Sequence, residues 1–127
     1  MTEIGRLLKR ADFLRVQTKG QKWVTPTVIV QMAPMPEGLD VDYRYRFGLT
    51  ATKKIFPRAV DRNRVRRRFR ALMIDILAEK GGQGVDFVVL PRLSSLKSPS
   101  DALKKDLKWA IKRLLATKTG EDEAKNG

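Results

Sequence analysis

The densest chemistry in the chain is Arg62-Asn63-Arg64-Val65-Arg66-Arg67-Arg68-Phe69-Arg70, where six of nine residues are arginines. A guanidinium stays charged near neutrality, offers a planar fork of donors that matches phosphate oxygens, and stacks on bases. Val65, Phe69, Leu72, Met73 and Ile76 recur at spacings of three and four, so a helix would carry them on one face. Arg64, Arg67 and Arg70 fall opposite, with Asn63 among them, while Arg62 and Arg66 lie nearer the apolar edge. The pattern describes a comb of fixed cations on a rod whose other side is anchored in a core. A merely solvated face would mix signs, yet no acid stands between Asp61 and Asp75. Like charges three and four apart also cost a helix about 0.2–0.5 kcal/mol per pair. A polyanion is the expected partner of this face.

The whole chain leans the same way. Its 127 residues hold 27 lysines and arginines against 14 acids, a formal charge of +13. Such self-repulsion favours an anionic partner, nucleic acid before a membrane surface. There is no cysteine and no histidine. Disulfides, thiolate nucleophiles, histidine zinc sites and histidine general bases are thereby excluded. Carboxylates holding magnesium remain as a catalytic device. The close acid pair outside the C-terminal tail, Asp40-Val41-Asp42, follows Pro34, Pro36 and Gly38 and reads as a solvated loop rather than a metal site. No catalytic residue is assigned, and no metal-binding residue is placed. No apolar run approaches the roughly 20 residues that span a bilayer. No signal-peptide core follows Met1, so a cytoplasmic location with no membrane partner is expected.

These side chains need a scaffold. Residues 1–9 read as a loosely held arm. A short helix is expected over about 12–19, with Asp12 at its start, Phe13 as a core anchor and Gly20 just past its end. Strand material follows at Trp23-Val24, at 27–33 and at 43–52, where Tyr43, Tyr45 and Phe47 alternate with Arg44 and Arg46. Aromatics interleaved with arginines fit either a nucleic-acid-binding sheet or a half-buried strand. Lys53-Lys54 and the connection through Arg58 lead into the arginine helix, which runs to about Lys80 and ends at the glycines of 81–84. Residues 85–90 form the most apolar strand, placed centrally. Ser98 and Pro99 open a last helix to about Thr117, with Leu103, Leu107, Ala110 and Leu114 as its buried stripe. Trp109 falls off that stripe. The order of elements gives a single α+β domain over 1–119 and a polar, disordered tail over 120–127.

At this point the sequence resembles the protein subunit of bacterial ribonuclease P. The resemblance spans about residues 6 to 115. It rests on Arg6-Leu7-Leu8-Lys9 with Asp12-Phe13, on Phe47-Gly48-Leu49-Thr50 with Lys53-Lys54, and on Arg62-Asn63-Arg64-Val65-Arg66-Arg67 with Arg70. It ends on Asp86-Phe87-Val88-Val89 before a lysine-rich helix.

The resemblance implies an αβββαβα sandwich with a small four-stranded sheet and a left-handed βαβ crossover, against the usual right-handed rule. It implies an accessory to a catalytic RNA that removes the 5′ leader from precursor tRNA. Magnesium would serve the holoenzyme, bound mainly by the RNA, and no obligate protein partner is implied. Lys53, Lys54, Arg58, Arg62, Asn63, Arg64, Arg66, Arg67 and Arg70 would meet the ribozyme and the cleavage-site region. Phe13, Gln17 and Gln31 would line a cleft for the single-stranded leader. The chain departs from the family pattern at Gln17, where many members carry a second aromatic, and at Arg68, where many carry an apolar residue. A generic RNA-binding or ribosomal protein is the alternative from composition alone. An independent metal-dependent nuclease is disfavoured by the scattered acids, and a helix-turn-helix DNA binder by the strand after the arginine helix.

Overall fold

The computed structural model describes residues 4–38, 43–80 and 84–118. The acid pair Asp40/Asp42, the glycine run at 81–83 and the expected tail at 120–127 lie outside the described residues.

Five strands form one mixed sheet: β1 (Ile4–Arg6), β2 (Gln21–Val24), β3 (Val28–Pro34), β4 (Tyr45–Leu49) and β5 (Val85–Pro91), in the order β1-β4-β5-β3-β2. The fold class is the expected α+β sandwich, with one strand more than the four anticipated. The extra strand comes from the N-terminal segment read as a loose arm. Ile4, Gly5 and Arg6 instead pair in parallel with Tyr45, Arg46 and Phe47, and the Leu7 amide continues the ladder to the Phe47 carbonyl at 2.9 Å. Gly5 is required there because a Cβ would overlap the Tyr43 ring. A three-residue strand carries too little pattern to be read from alternation.

β5 is central, as expected of the most apolar strand. It pairs parallel with β4 and antiparallel with β3. Thr25 and Pro26 turn the chain between β2 and β3, closed by Thr25 N to Val28 O at 2.9 Å. The parallel β4–β5 connection is made by α2 (Ala59–Ala78), the arginine helix.

Helices cover both faces. Val30, Met32, Tyr45, Phe47, Phe87 and Val89 point to one face, where they pack with Val65, Phe69, Met73 and Ile76 of α2. The same core takes Leu103, Leu107, Ala110, Ile111 and Leu114 of α3 (Ser100–Lys118), which is the expected stripe with Ile111 added. On the other face α1 (Arg10–Lys19) buries Val16 against Ala33, Val88 and Leu7, with Phe13 at the margin. Gly20 stands just past the end of α1, as expected, with φ −84°. It is glycine because a Cβ would collide with the carbonyls of Val16 and Met32. Ser98 does not cap α3 through its side chain, since its hydroxyl donates to Ser94 O at 2.8 Å. A short 3-10 helix, Leu93–Leu96, joins β5 to α3.

The arginines of the β4 segment do not line a nucleic-acid-binding sheet. Arg46 is buried under α1, and Arg44 donates to the Lys80 carbonyl at 2.6 Å while its guanidinium lies over the Tyr45 ring. The half-buried strand is the reading that holds.

Candidate nucleic-acid interface

α2 buries Val65, Phe69, Met73, Ile76 and Leu77 and turns Asn63, Arg64 and Arg67 to solvent. The arginines around that ridge divide by what their donors reach. Arg62 donates to the carbonyls of Phe56 and Pro57 at 2.8 and 2.9 Å. Arg66 reaches the Ala51 carbonyl at 3.3 Å. These bonds fix two guanidinium groups near the surface and tie the helix to the segment that precedes it. Arg68 is different: it donates to the carbonyls of Ser95 and Ser98 and so pins α2 to the link before α3. Burial, and after it the charge of Arg64, lowers the Arg68 pKa from its ordinary value. Its departure from the family's apolar residue has a structural use.

Among the described residues no carboxylate lies in ion-pair distance of Arg64, Arg67 or Arg70. Asp61, in the first turn of α2, favours the helix dipole there without neutralising the ridge. Lys53, Lys54 and Arg58 are exposed on the connection from β4 into the helix, which is braced by Phe56 N to Thr52 O at 2.8 Å. All nine residues read as a basic surface therefore lie on one stretch of chain, from the turn after β4 to Arg70 in the middle of α2.

Phe13 joins this surface. It lines a small pocket of about 110 Å³ with Arg6, Leu7, Gly48, Arg66 and Arg70. The pocket lies at the C-terminal ends of the parallel strands β1 and β4, where the first turn of α1 meets α2. Gly48 makes this possible: a Cβ at that position would overlap the Phe13 ring, so only glycine lets the ring lie on the sheet. On its other side Phe13 shares a shallow groove of about 390 Å³ with Leu8, Arg10, Leu14, Gln17 and Thr50. Leu8 is 81% exposed there. An aromatic ring, apolar side chains and flanking guanidiniums give a stacking platform beside cations, the arrangement that holds unpaired nucleotides without reading sequence.

Of the three expected cleft residues, the fold brings together Phe13 and Gln17, one turn apart on α1. Gln31 lies on the same sheet face, paired in register with Val88, but lines neither groove. Its amide oxygen is buried with no hydrogen-bond donor. Sequence reasoning did not place Arg6 and Gly48 in the site. Their signal was weak because each acts through β1 and β4 pairing, which period-two alternation over so few residues does not reveal.

Known proteins share this sequence pattern and this fold. A family model described as Ribonuclease P matches residues 1–115. The chain is 41% identical over 112 residues to the ribonuclease P protein component of Paramagnetospirillum magneticum, covering 87% of this chain and 83% of that one. It is 35% identical over 120 residues to the ribonuclease P protein component of Ruegeria pomeroyi, covering 91% of this chain and 90% of the relative. The solved RNase P protein from Thermotoga maritima shares the fold, with a TM-score of 0.67 at 24% identity over 86% of this chain and 94% of that one. The chain belongs to the bacterial ribonuclease P protein family.

Proposed function

We propose that the chain is the protein component of a ribonuclease P ribonucleoprotein that binds the catalytic RNA and the 5′ leader of precursor tRNA. In this reading it assists magnesium-dependent endonucleolytic removal of the leader to form the mature tRNA 5′ end. The observation that carries it is the shared pocket of Phe13, Arg66 and Arg70 beside the solvent-facing Asn63, Arg64 and Arg67. The ridge meets folded RNA through phosphates, and the aromatic groove takes the single-stranded leader.

The division of labour follows from the groups. Fixed guanidiniums bind phosphates with steep salt dependence and little sequence reading. Leaders differ between tRNAs, so a platform that stacks any base is the suitable device. Among the described residues no group of three or more acidic, histidine or cysteine side chains gathers as a metal site. Asp12 and Asp86 are held by arginines. In this reading the hydrolytic chemistry belongs to the RNA and its magnesium ions, and no metal step is assigned to this chain. The chain contributes positioning and charge neutralisation near the scissile phosphate. No helix among the described residues is long and apolar enough to cross a membrane.

The test is cleavage of a precursor tRNA by a bacterial ribonuclease P RNA at limiting magnesium, with and without the chain, on substrates with and without a leader. Stimulation with leader-dependent affinity is expected. RNA binding without any stimulation would leave a generic RNA-binding protein.

A further inference from the structure

The chain has two tryptophans, Trp23 on β2 and Trp109 on α3, and neither lines the grooves around Phe13. Both line a third groove of about 1010 Å³ that runs along α3 beside the edge strand β2. The Arg113 guanidinium lies 5.3 Å from the Trp23 ring centroid and 5.5 Å from that of Trp109. A cation shared by two indoles holds both rings in place. Trp109 nevertheless remains 50% exposed, and Val24 across the groove is 52% exposed.

The rim is cationic. Lys105, Lys108 and Lys112 line the groove on the helix that carries Trp109, and all three are exposed. Among the described residues none of the three is in an ion pair, whereas Lys104 is paired with Asp75 at 3.0 Å. Of the two carboxylates in the lining, Asp106 accepts from the Thr27 hydroxyl at 2.6 Å, and Asp101 lies in the first turn of α3. An apolar peptide would leave the lysines unmatched. An acidic peptide would match them but leave the flat indole unused. A polyanion with flat rings uses both.

We propose that this groove is a second RNA-binding surface, which takes an unpaired stretch of RNA with a base stacked on Trp109 and phosphates on Lys105, Lys108 and Lys112. It goes beyond the proposed function and does not depend on it, since its residues are separate from the Phe13 site and the arginine ridge.

Because both tryptophans line this groove, intrinsic tryptophan fluorescence reports on it selectively. The full chain would be titrated with a single-stranded oligouridine of about ten nucleotides, within the roughly 4–16 covered by sites of this kind. Saturable quenching is expected. Replacing the three lysines together (K105Q, K108Q, K112Q) should weaken its midpoint on the order of tenfold and lower the salt slope by about 2, at about 0.7 per phosphate contact. Trp109→Phe keeps a ring, leaves Trp23 as reporter and should retain the midpoint. Trp109→Leu should weaken it about 5- to 160-fold, the range of one stacked base. Phe13→Ala and the Arg64→Ala, Arg67→Ala pair should leave the quenching midpoint where it is. Binding detected by anisotropy of a labelled oligouridine without any quenching would overturn the proposal. So would a midpoint indifferent to the lysine changes, or polyglutamate quenching with the same midpoint.

Discussion

Arg46 and Asp86 are register partners on the adjacent strands β4 and β5, and their side chains close a two-pronged pair on the face covered by α1. Arg46 Nε donates to Asp86 Oδ1 at 2.8 Å and Nη2 to Oδ2 at 2.6 Å. Arg15 of α1 donates to the same Oδ2 and to the Pro34 carbonyl at 2.6 Å, and Asp12 Oδ1 lies 3.5 Å from both guanidiniums. The Asp86 hydrogen bond, ahead of the nearby carboxylate charges and against the cost of burial, raises the Arg46 pKa. This knot fixes the seat of α1, and with it Phe13 and Gln17. Val16 is the one fully buried side chain of α1, so these ion pairs add to a small apolar contact in docking the helix.

Removing the Asp86 carboxylate leaves the buried Arg46 guanidinium with only the more distant, partly exposed Asp12, and breaking a buried pair in this way typically costs about 3–5 kcal/mol. Asp86→Ala should destabilise the fold by that amount in denaturant unfolding, far more than a typical surface change. A loss below about 1 kcal/mol, within the usual worth of an exposed pair, would show that the knot is ornamental.

Gly48→Ala asks whether the Phe13 ring must lie on the sheet. The added methyl has no room beside that ring, and overpacking of this kind costs about 1–3 kcal/mol. The ring should swing out, and leader-dependent affinity for precursor tRNA should fall while affinity for leaderless substrate stays. Equal loss on both substrates would separate Phe13 from the leader.

Much of the site was legible because its signals are local. The arginine run, its apolar counter-face Val65, Phe69, Met73 and Ile76, and the strand 85–90 are each written in contiguous residues, and each is where the spacing put it. What stayed hidden depends on partners distant in sequence. Asp86, in the middle of an apolar strand, gave no hint that Arg15, 71 residues away, and Arg46, 40 residues away, would satisfy it. Ile4–Arg6 became a strand because β4 offered an edge, not because of its own three residues. Trp109 looked misplaced on its helix until Arg113 and Trp23 supplied the reason.

Tyr45 is buried in the core, and burial raises its pKa above 10.0, outweighing the opposing charge of Arg44. A phenol whose folded pKa lies above the unfolded one adds stability that is intact below about pH 10 and is lost as pH rises through the folded value. In a Tyr43→Phe chain the one remaining tyrosine is Tyr45. Its phenolate absorbance should appear late and together with unfolding. Ionisation near pH 10 with the fold intact would contradict the burial.

Arg64, Arg67 and Arg68 stand within one turn and a half of the same helix, yet they should fail in opposite ways. Arg64 and Arg67 face solvent, so Arg64→Ala with Arg67→Ala should change stability by no more than about 0.5 kcal/mol, as surface substitutions do. Their loss should instead lower the salt slope of RNA binding by about 1.4–1.8, at about 0.7–0.9 per phosphate contact. Arg68→Ala removes a guanidinium whose two donors hold the Ser95 and Ser98 carbonyls. It should cost about 1–3 kcal/mol, the range for stranding buried acceptors, and leave the salt slope unchanged. Unfolding curves and salt titrations on the two variants separate the roles. If Arg68→Ala lowered the slope and left stability alone, the side chain would be reaching RNA rather than holding α2 to α3.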